Sequence, residues 1–283
     1  MDYSSKLGLG TVQFGINYGI SNNEGITPEE EIRNILSYAW SAGVNTIDTA
    51  SAYGISEEVL GRNIKNNFRI VTKFSLSESS LNIKDEFERS LQRLNVDRIY
   101  GFLAHRPLNV TDNPSIWDNL KQMKSEGLIE KIGFSFNTTE EAETVMKAGL
   151  WPDLVQVPFN YLDNRFVKIM QELKSRGCEV HVRSAFLQGL FFSDINNLDP
   201  YFNDIIPLLN QLKEYKDKGV LAGMLLKYCL EKDFIDKVII GVNTLQQLKD
   251  NLESLNVAET LPNLNYNITQ EILIPSNWPK KKV

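Results

Sequence analysis

The stretch Val44-Asn45-Thr46-Ile47-Asp48-Thr49-Ala50-Ser51-Ala52-Tyr53-Gly54 decides how this chain is read. Val44 to Ile47 has the length of a short buried strand, and an aspartate ends it. Tyr53 follows on the next loop, beside a glycine. Two later strands also end on polar groups: Ile70-Val71-Thr72-Lys73 on a lysine and Phe102-Leu103-Ala104-His105 on a histidine. An acid, a phenol, an ammonium and an imidazole then share one pocket, provided the strands converge at that end.

Working outward, the segment before this strand reads as a helix. Thr27 suits an N-cap, Pro28 the first helical position, and Glu29, Glu30 and Glu31 the positive end of the helix dipole. Ile32, Ile35, Leu36, Ala39 and Trp40 form one apolar face, and Gly43 ends it. The alternation continues with helix 56–66 and strand 69–73, helix 82–94 and strand 98–105, then helix 115–126 and strand 131–135. Helix 139–148 and strand 153–157 follow, then helix 163–176 and strand 179–184. Residues 200–231 read as two helices split near Gly219, before strand 237–241 and helix 244–255. Asn256 to Val283 lacks periodicity and carries Pro262, Pro275 and Pro279, as a tail over the body would. Strands alternating with helices argue a parallel sheet, and eight such units argue a (β/α)8 TIM barrel, one domain over 1–283 with 256–283 as its tail.

Composition narrows the function. With 42% hydrophobic residues the chain can build a large core. A net charge of −6 without a basic block before the last residues argues against nucleic-acid binding. No run of apolar residues is long enough to span a membrane, and Met1 to Lys6 offers no signal-peptide core, so a cytoplasmic protein is expected. Cys178 and Cys229 are far apart and read as buried free thiols. With His105 and His181 as its only histidines, the chain makes a poor metal-dependent hydrolase, and no metal is expected.

The first strand, read over Leu7 to Phe14, has glycines at 8 and 10. A dinucleotide-fold fingerprint would need glycine at Gln13 and a helix directly after it; a polar loop, Gly15 to Gly25, stands there instead. Small residues at that strand end let a cofactor ring or substrate approach the backbone, which makes Thr11 and Gln13 candidate cofactor contacts. Taken singly, each polar strand end has an ordinary structural reading. Taken together at neighbouring strand ends, they are similar to the set that aldo-keto reductases use, and that resemblance implies carbonyl reduction, which needs a hydride to carbon and a proton to oxygen. A phenol holds its proton with a pKa of about 10, and an adjacent ammonium favours the phenolate. Asp48 would keep Lys73 charged and placed, and His105 would orient the carbonyl.

In that order, Asp48, Tyr53, Lys73 and His105 resemble the catalytic tetrad of the aldo-keto reductases. The resemblance runs through nearly the whole chain: Leu7-Gly8-Leu9-Gly10-Thr11, Asp48-Thr49-Ala50 with Tyr53-Gly54 and Ser56-Glu57, Val71-Thr72-Lys73, His105-Arg106-Pro107, Ile132-Gly133-Phe134-Ser135, Gln156 with Asn160, Ser184 with Leu187-Gln188-Gly189-Leu190, and Ile240-Gly241 with Leu248 and Asp250-Asn251. The family implies a nicotinamide cofactor, usually NADPH, bound across the barrel mouth. By position, Ser135 and Gln156 resemble the groups that hold the carboxamide. Ser184 to Gly189 resembles the loop beneath the pyrophosphate, with its N–H groups toward the anion. Gly241, Asn243, Thr244, Gln247 and Asn251 resemble the adenosine region. Three residues depart from the pattern. Phe136 replaces a usual asparagine. Arg183 stands where a tyrosine commonly stacks on the nicotinamide, and its charge would favour the reduced cofactor. Gln247 replaces an arginine that pairs with the 2′-phosphate, leaving Lys249 and the start of helix 244–255 to hold it. NADPH is therefore expected, with NADH accepted.

The implied activity is reduction of an aldehyde or ketone to an alcohol. Asn17, Tyr18, Asn22 and Asn23, the loop after Tyr53, Phe159 and the tail near Trp278 are the expected pocket walls. Amides and a phenol there suit a sugar or keto-sugar, although asparagines that only make turns would look the same. A cofactor-binding regulatory or sensor subunit of the same fold is the alternative. The sequence does not reveal the oligomeric state.

Overall fold

The computed structural model describes residues 3–22, 24–65, 67–76, 82–264 and 268–279. Eight parallel strands close into a barrel in sequence order: β1 Leu7–Gly10, β2 Thr46–Asp48, β3 Arg69–Phe74, β4 Ile99–Ala104, β5 Ile129–Ser135, β6 Leu154–Pro158, β7 Glu179–Arg183 and β8 Lys237–Gly241, which pairs back onto β1. Helices α1 Glu29–Ser41, α2 Ser56–Asn63, α3 Ile83–Leu94, α4 Leu108–Asp112, α5 Ser115–Ser125, α6 Thr139–Lys147, α7 Val167–Ser175, α8 Ile206–Asp217, α9 Leu221–Leu230 and α10 Leu245–Leu255 cover the outside.

Side chains alternate along each strand. Ile47, Ile70, Val155 and Val180 point outward into the layer shared with the helices. The opposite parity fills the barrel, where Val71, Leu103 and Leu154 make a small apolar layer. On β7 the residues of that parity are Glu179, His181 and Arg183, from floor to mouth. Sheet register sets Asp48 beside Val71, Ser135 beside Gln156 and Gln156 beside His181.

Several boundaries differ from the sequence reading. β1 ends at Gly10, and Val12–Phe14 forms a 3-10 turn instead of more strand. Pro28, not Thr27, caps α1: its carbonyl accepts from Ile32 N at 3.0 Å, while Thr27 Oγ1 is buried without a partner. Residues 163–166 form a turn before α7, because Asn160 Oδ1 accepts from Leu162 N and Asp163 N and Arg165 pairs with Asp163. The short α4 and the 3-10 turn Pro200–Ile205 were not legible as separate elements. The split at Gly219 stands, with φ +72 there. The described part of the tail packs on the α8–α9 side through Ile272 and Trp278, and Tyr161 donates to the Pro262 carbonyl.

Candidate active site

Asp48 ends β2 and Lys73 lies one residue from the end of β3, so both point into the barrel at its mouth. Lys73 Nζ donates to both Asp48 oxygens, at 2.7 and 2.8 Å, and to the Thr49 carbonyl at 2.9 Å. Lys73 is fully buried and Asp48 is 4% exposed. An ammonium is tolerated there because three oxygens satisfy it. Gln156 Nε2 adds a 2.6 Å bond to Asp48 Oδ1 from across the barrel.

Tyr53 stands over this pair, its ring centroid 5.1 Å from Lys73 Nζ. His105 meets Tyr53 edge-on, with centroids 5.9 Å apart. A tight seat fixes the Tyr53 loop. A Cβ on Gly15 would fall 1.7 Å from the Tyr53 carbonyl, and Gly54, at φ +57, sits against Gly15. Burial, followed by the charges of Lys73, Arg183 and Arg106, pulls the His105 pKa down to about 3, so its ring is neutral near pH 7.

A cavity of about 720 Å³ opens above Asp48, Tyr53 and His105, within the range of small-molecule sites. Of the other residues singled out from sequence, Thr11, Gln13, Arg183, Ser184, Gln188, Gly189, Gly241, Asn243, Gln247 and Asn251 line it. Four do not. Ser135 and Gln156 are buried behind its surface, the latter with its amide nitrogen on Asp48. Leu187 is buried in the second apolar cluster, and Thr244 Oγ1 caps α10 by accepting from Gln247 N. The Leu187 and Gly189 N–H groups close turns onto the Ser184 and Phe186 carbonyls, so they do not face an anion as the sequence reading had it.

The walls also differ from expectation. Tyr18 and Asn22 line the cavity, but Asn17 does not, and Asn23 lies outside the described residues. Phe159 is buried against Tyr228, and Trp278 packs on Phe202. Phe186, Phe192, Glu24 and Asn137, which no motif marked, take wall positions, as does Asp250 of the Asp250-Asn251 motif. Phe136 turns into the core against Phe134. Asn137, one residue later, supplies the amide at the mouth: Arg183 Nη2 donates to its Oδ1 at 2.6 Å and to the Phe136 carbonyl at 3.1 Å.

The chain's residues 6–274 match the family model described as the Aldo/keto reductase family. This protein is an aldo/keto reductase family member. Curated relatives span nearly its full length. The NADH-specific methylglyoxal reductase of Escherichia coli is 24% identical, covering 89% of this chain and 90% of the relative. The D-arabinose 1-dehydrogenase of Saccharomyces cerevisiae is 24% identical, covering 84% and 81%. A holo aldo-keto reductase structure from Bacillus halodurans superposes with a TM-score of 0.72 at 23% identity, over 91% and 88% of the two chains, and supports the fold. Family membership makes the chain an oxidoreductase, of a family that uses nicotinamide cofactors and acts on small-molecule carbonyl substrates.

The lining fits such a cofactor. Gln13 Oε1 and Asn243 Nδ2 are buried beside the cavity without partners. A Cβ on Gly241 would come within 2.7 Å of the Gln13 amide, so the glycine leaves room at the strand end. Ser184, Gln188 and Gly189, with left-handed φ values from +52 to +89, line the cavity on the side of β7. No helix of the described residues is long and apolar enough to cross a membrane.

Proposed function

We propose that this chain is an NAD(P)H-dependent reductase of aldehydes or ketones, with Tyr53 as proton donor, Lys73 and Asp48 as its support and His105 orienting the carbonyl. One observation carries the reading: the doubly bonded Lys73–Asp48 pair lies directly beneath the Tyr53 ring, with His105 edge-on beside it, at the cavity surface. The bound cofactor supplies the hydride. Tyr53 gives its proton to the carbonyl oxygen, and the buried ammonium stabilises the phenolate left behind. Because Asp48 and the Thr49 carbonyl hold Lys73, the charge stays in place through the step. His105 is neutral, so it donates an N–H to the carbonyl oxygen without a competing charge change.

A sugar or keto-sugar is the substrate class that the walls support best. Gln188 Nε2 donates to the Tyr18 hydroxyl at 2.7 Å, which leaves that hydroxyl's own proton to donate. Ile20 N donates to the Gln188 carbonyl at 3.1 Å, so the Tyr18 loop and the left-handed Gln188 segment brace each other. Asn22 and Asn137 add amides to the same wall, and Phe186 and Phe192 an apolar side. Oxidation of reduced cofactor over a panel of aldehydes, ketoses and nucleotide keto-sugars tests the reading. Turnover that disappears in Tyr53→Phe supports it. Tight cofactor binding with no turnover on any carbonyl overturns it in favour of a sensor.

A further inference from the structure

The nicotinamide must reach the carbonyl held at Tyr53, so the second nucleotide of the cofactor lies at the opposite end of the cavity. That end is walled by Gly241, Val242 and Asn243 and by Gln247, Asp250 and Asn251 of α10. A 2′-phosphate there would carry close to two negative charges and need cationic or unoccupied N–H donors.

Among the described residues this end offers no cation, and its one buried N–H donor without a partner is the neutral amide of Asn243. Lys249, the cation nearest in sequence, lies over the Tyr38 ring of α1 at 5.4 Å and is absent from the wall. Among the described lining residues the one arginine is Arg183, at the other end and bonded to Phe136 and Asn137. The start of α10 is already occupied. Glu31 of α1 accepts from Leu245 N at 2.6 Å, Thr244 Oγ1 accepts from Gln247 N at 3.1 Å, and Gln247 Oε1 accepts from Asn243 N at 2.7 Å. The Glu31 carboxylate offsets the positive helix end that an anion would otherwise use. A second carboxylate, Asp250, stands in the wall and is held by Gln246 Nε2 at 2.7 Å.

We propose that this chain prefers NADH to NADPH, and that Glu31 and Asp250 are the residues that exclude the 2′-phosphate. The inference rests on the reductase reading above. A neutral ribose hydroxyl can donate to the Asp250 carboxylate in the wall, whereas a phosphate there meets that carboxylate and a helix start already taken by Glu31, and loses its water without gaining a counter-charge. The sequence reading expected NADPH to be accepted on the free start of α10, with the direction of Lys249 left open. The fold fills that start and turns Lys249 away.

Isothermal titration of NADH and NADPH against the whole protein tests this without relying on turnover. Wild type should bind NADH about tenfold or more tightly than NADPH. Glu31→Gln keeps an oxygen for Leu245 N and removes the charge. Asp250→Asn does the same in the wall. Each should narrow the NADPH-to-NADH ratio about three- to tenfold, more at low than at high salt. Gln247→Arg should bring the two cofactors close to parity and stands as an independent check should either charge variant fold poorly. Equal or tighter NADPH binding in wild type overturns the preference. A ratio unmoved by both charge variants overturns the assignment to Glu31 and Asp250. Binding of neither cofactor overturns the reductase reading itself, and this inference with it.

Discussion

The two ends of the barrel hold the same four kinds of side chain. At the mouth they are Asp48, Lys73, Tyr53 and His105; at the floor they are Glu179, Lys131, Tyr100 and His181. At the floor every group converges on one carboxylate. Glu179 accepts from Tyr100 Oη at 2.6 Å, meets His181 Nε2 at 2.7 Å and pairs with Lys131 at 2.5 Å. Burial alone would raise the Glu179 pKa, yet the histidine, the lysine and the phenol hold it well below the carboxylate range. Burial and the bond to Glu179 push the Tyr100 phenol up, so its proton is locked. At the mouth, among the described residues, the carboxylate takes only the ammonium and Gln156. The Tyr53 hydroxyl and the His105 ring have no hydrogen-bond partner among the described residues and open on the cavity. The same chemical groups make a plug when they satisfy one another and a candidate reaction centre when two of them are left for a ligand.

The largest expected effect separates the two tyrosines. Tyr53→Phe should lower kcat for carbonyl reduction by roughly 10²–10⁴ while cofactor still binds in a titration. Tyr100→Phe should keep kcat within about twofold, and equal losses in both would erase the distinction between the ends. Stability should respond in the opposite way. Glu179→Gln leaves the half-buried Lys131 and the buried His181 without their acid and should cost on the order of 1–3 kcal/mol in urea unfolding. A cost near zero would mean that the floor cluster is not a structural plug.

Acid sensitivity sharpens the contrast further. In the folded chain His105 titrates near 3 instead of the ordinary 6.5, so between those values the unfolded state binds more protons. Stability therefore falls as pH drops below 6.5, and this group contributes on the order of 2 kcal/mol of the loss by pH 5. His105→Gln should flatten that part of the stability profile, measured by denaturant midpoints between pH 7 and 5; an unchanged slope would show that the folded chain does not hold His105 neutral. Glu179 acts lower on the scale, since a depressed carboxylate stabilises above its unfolded pKa and loses that contribution as pH falls. The smallest effect concerns the wall. Tyr18→Phe should lower the kcat/KM ratio of lactaldehyde over propanal by about tenfold, the loss of one hydrogen bond to a substrate hydroxyl. A ratio that stays constant would show that Tyr18 does not read hydroxyls.

The strand-by-strand alternation, the eightfold count and the four mouth residues were all legible because period and strand-end position survive in a single sequence. Asp48 and Lys73 could be paired in advance, since adjacent parallel strands place their ends together. The fate of Gln156 could not, because its bond to Asp48 crosses the barrel between residues 108 positions apart. Phe186, Phe192 and Asn137 carried no motif; they reach the cavity through loop paths that no periodicity encodes.

By itself the sequence determined a barrel whose strand ends gather an acid, a phenol, an ammonium and an imidazole, because side-chain alternation and helix periodicity are local. It could not separate mouth from floor among the charged residues inside the barrel, nor say whether Lys249 faces the cavity or Tyr38. Those choices depend on helix rotation and on which distant oxygen arrives first, as Glu31 does at Leu245 N. Long-range packing sets them, so the charge that a cofactor meets was decided only by the tertiary structure.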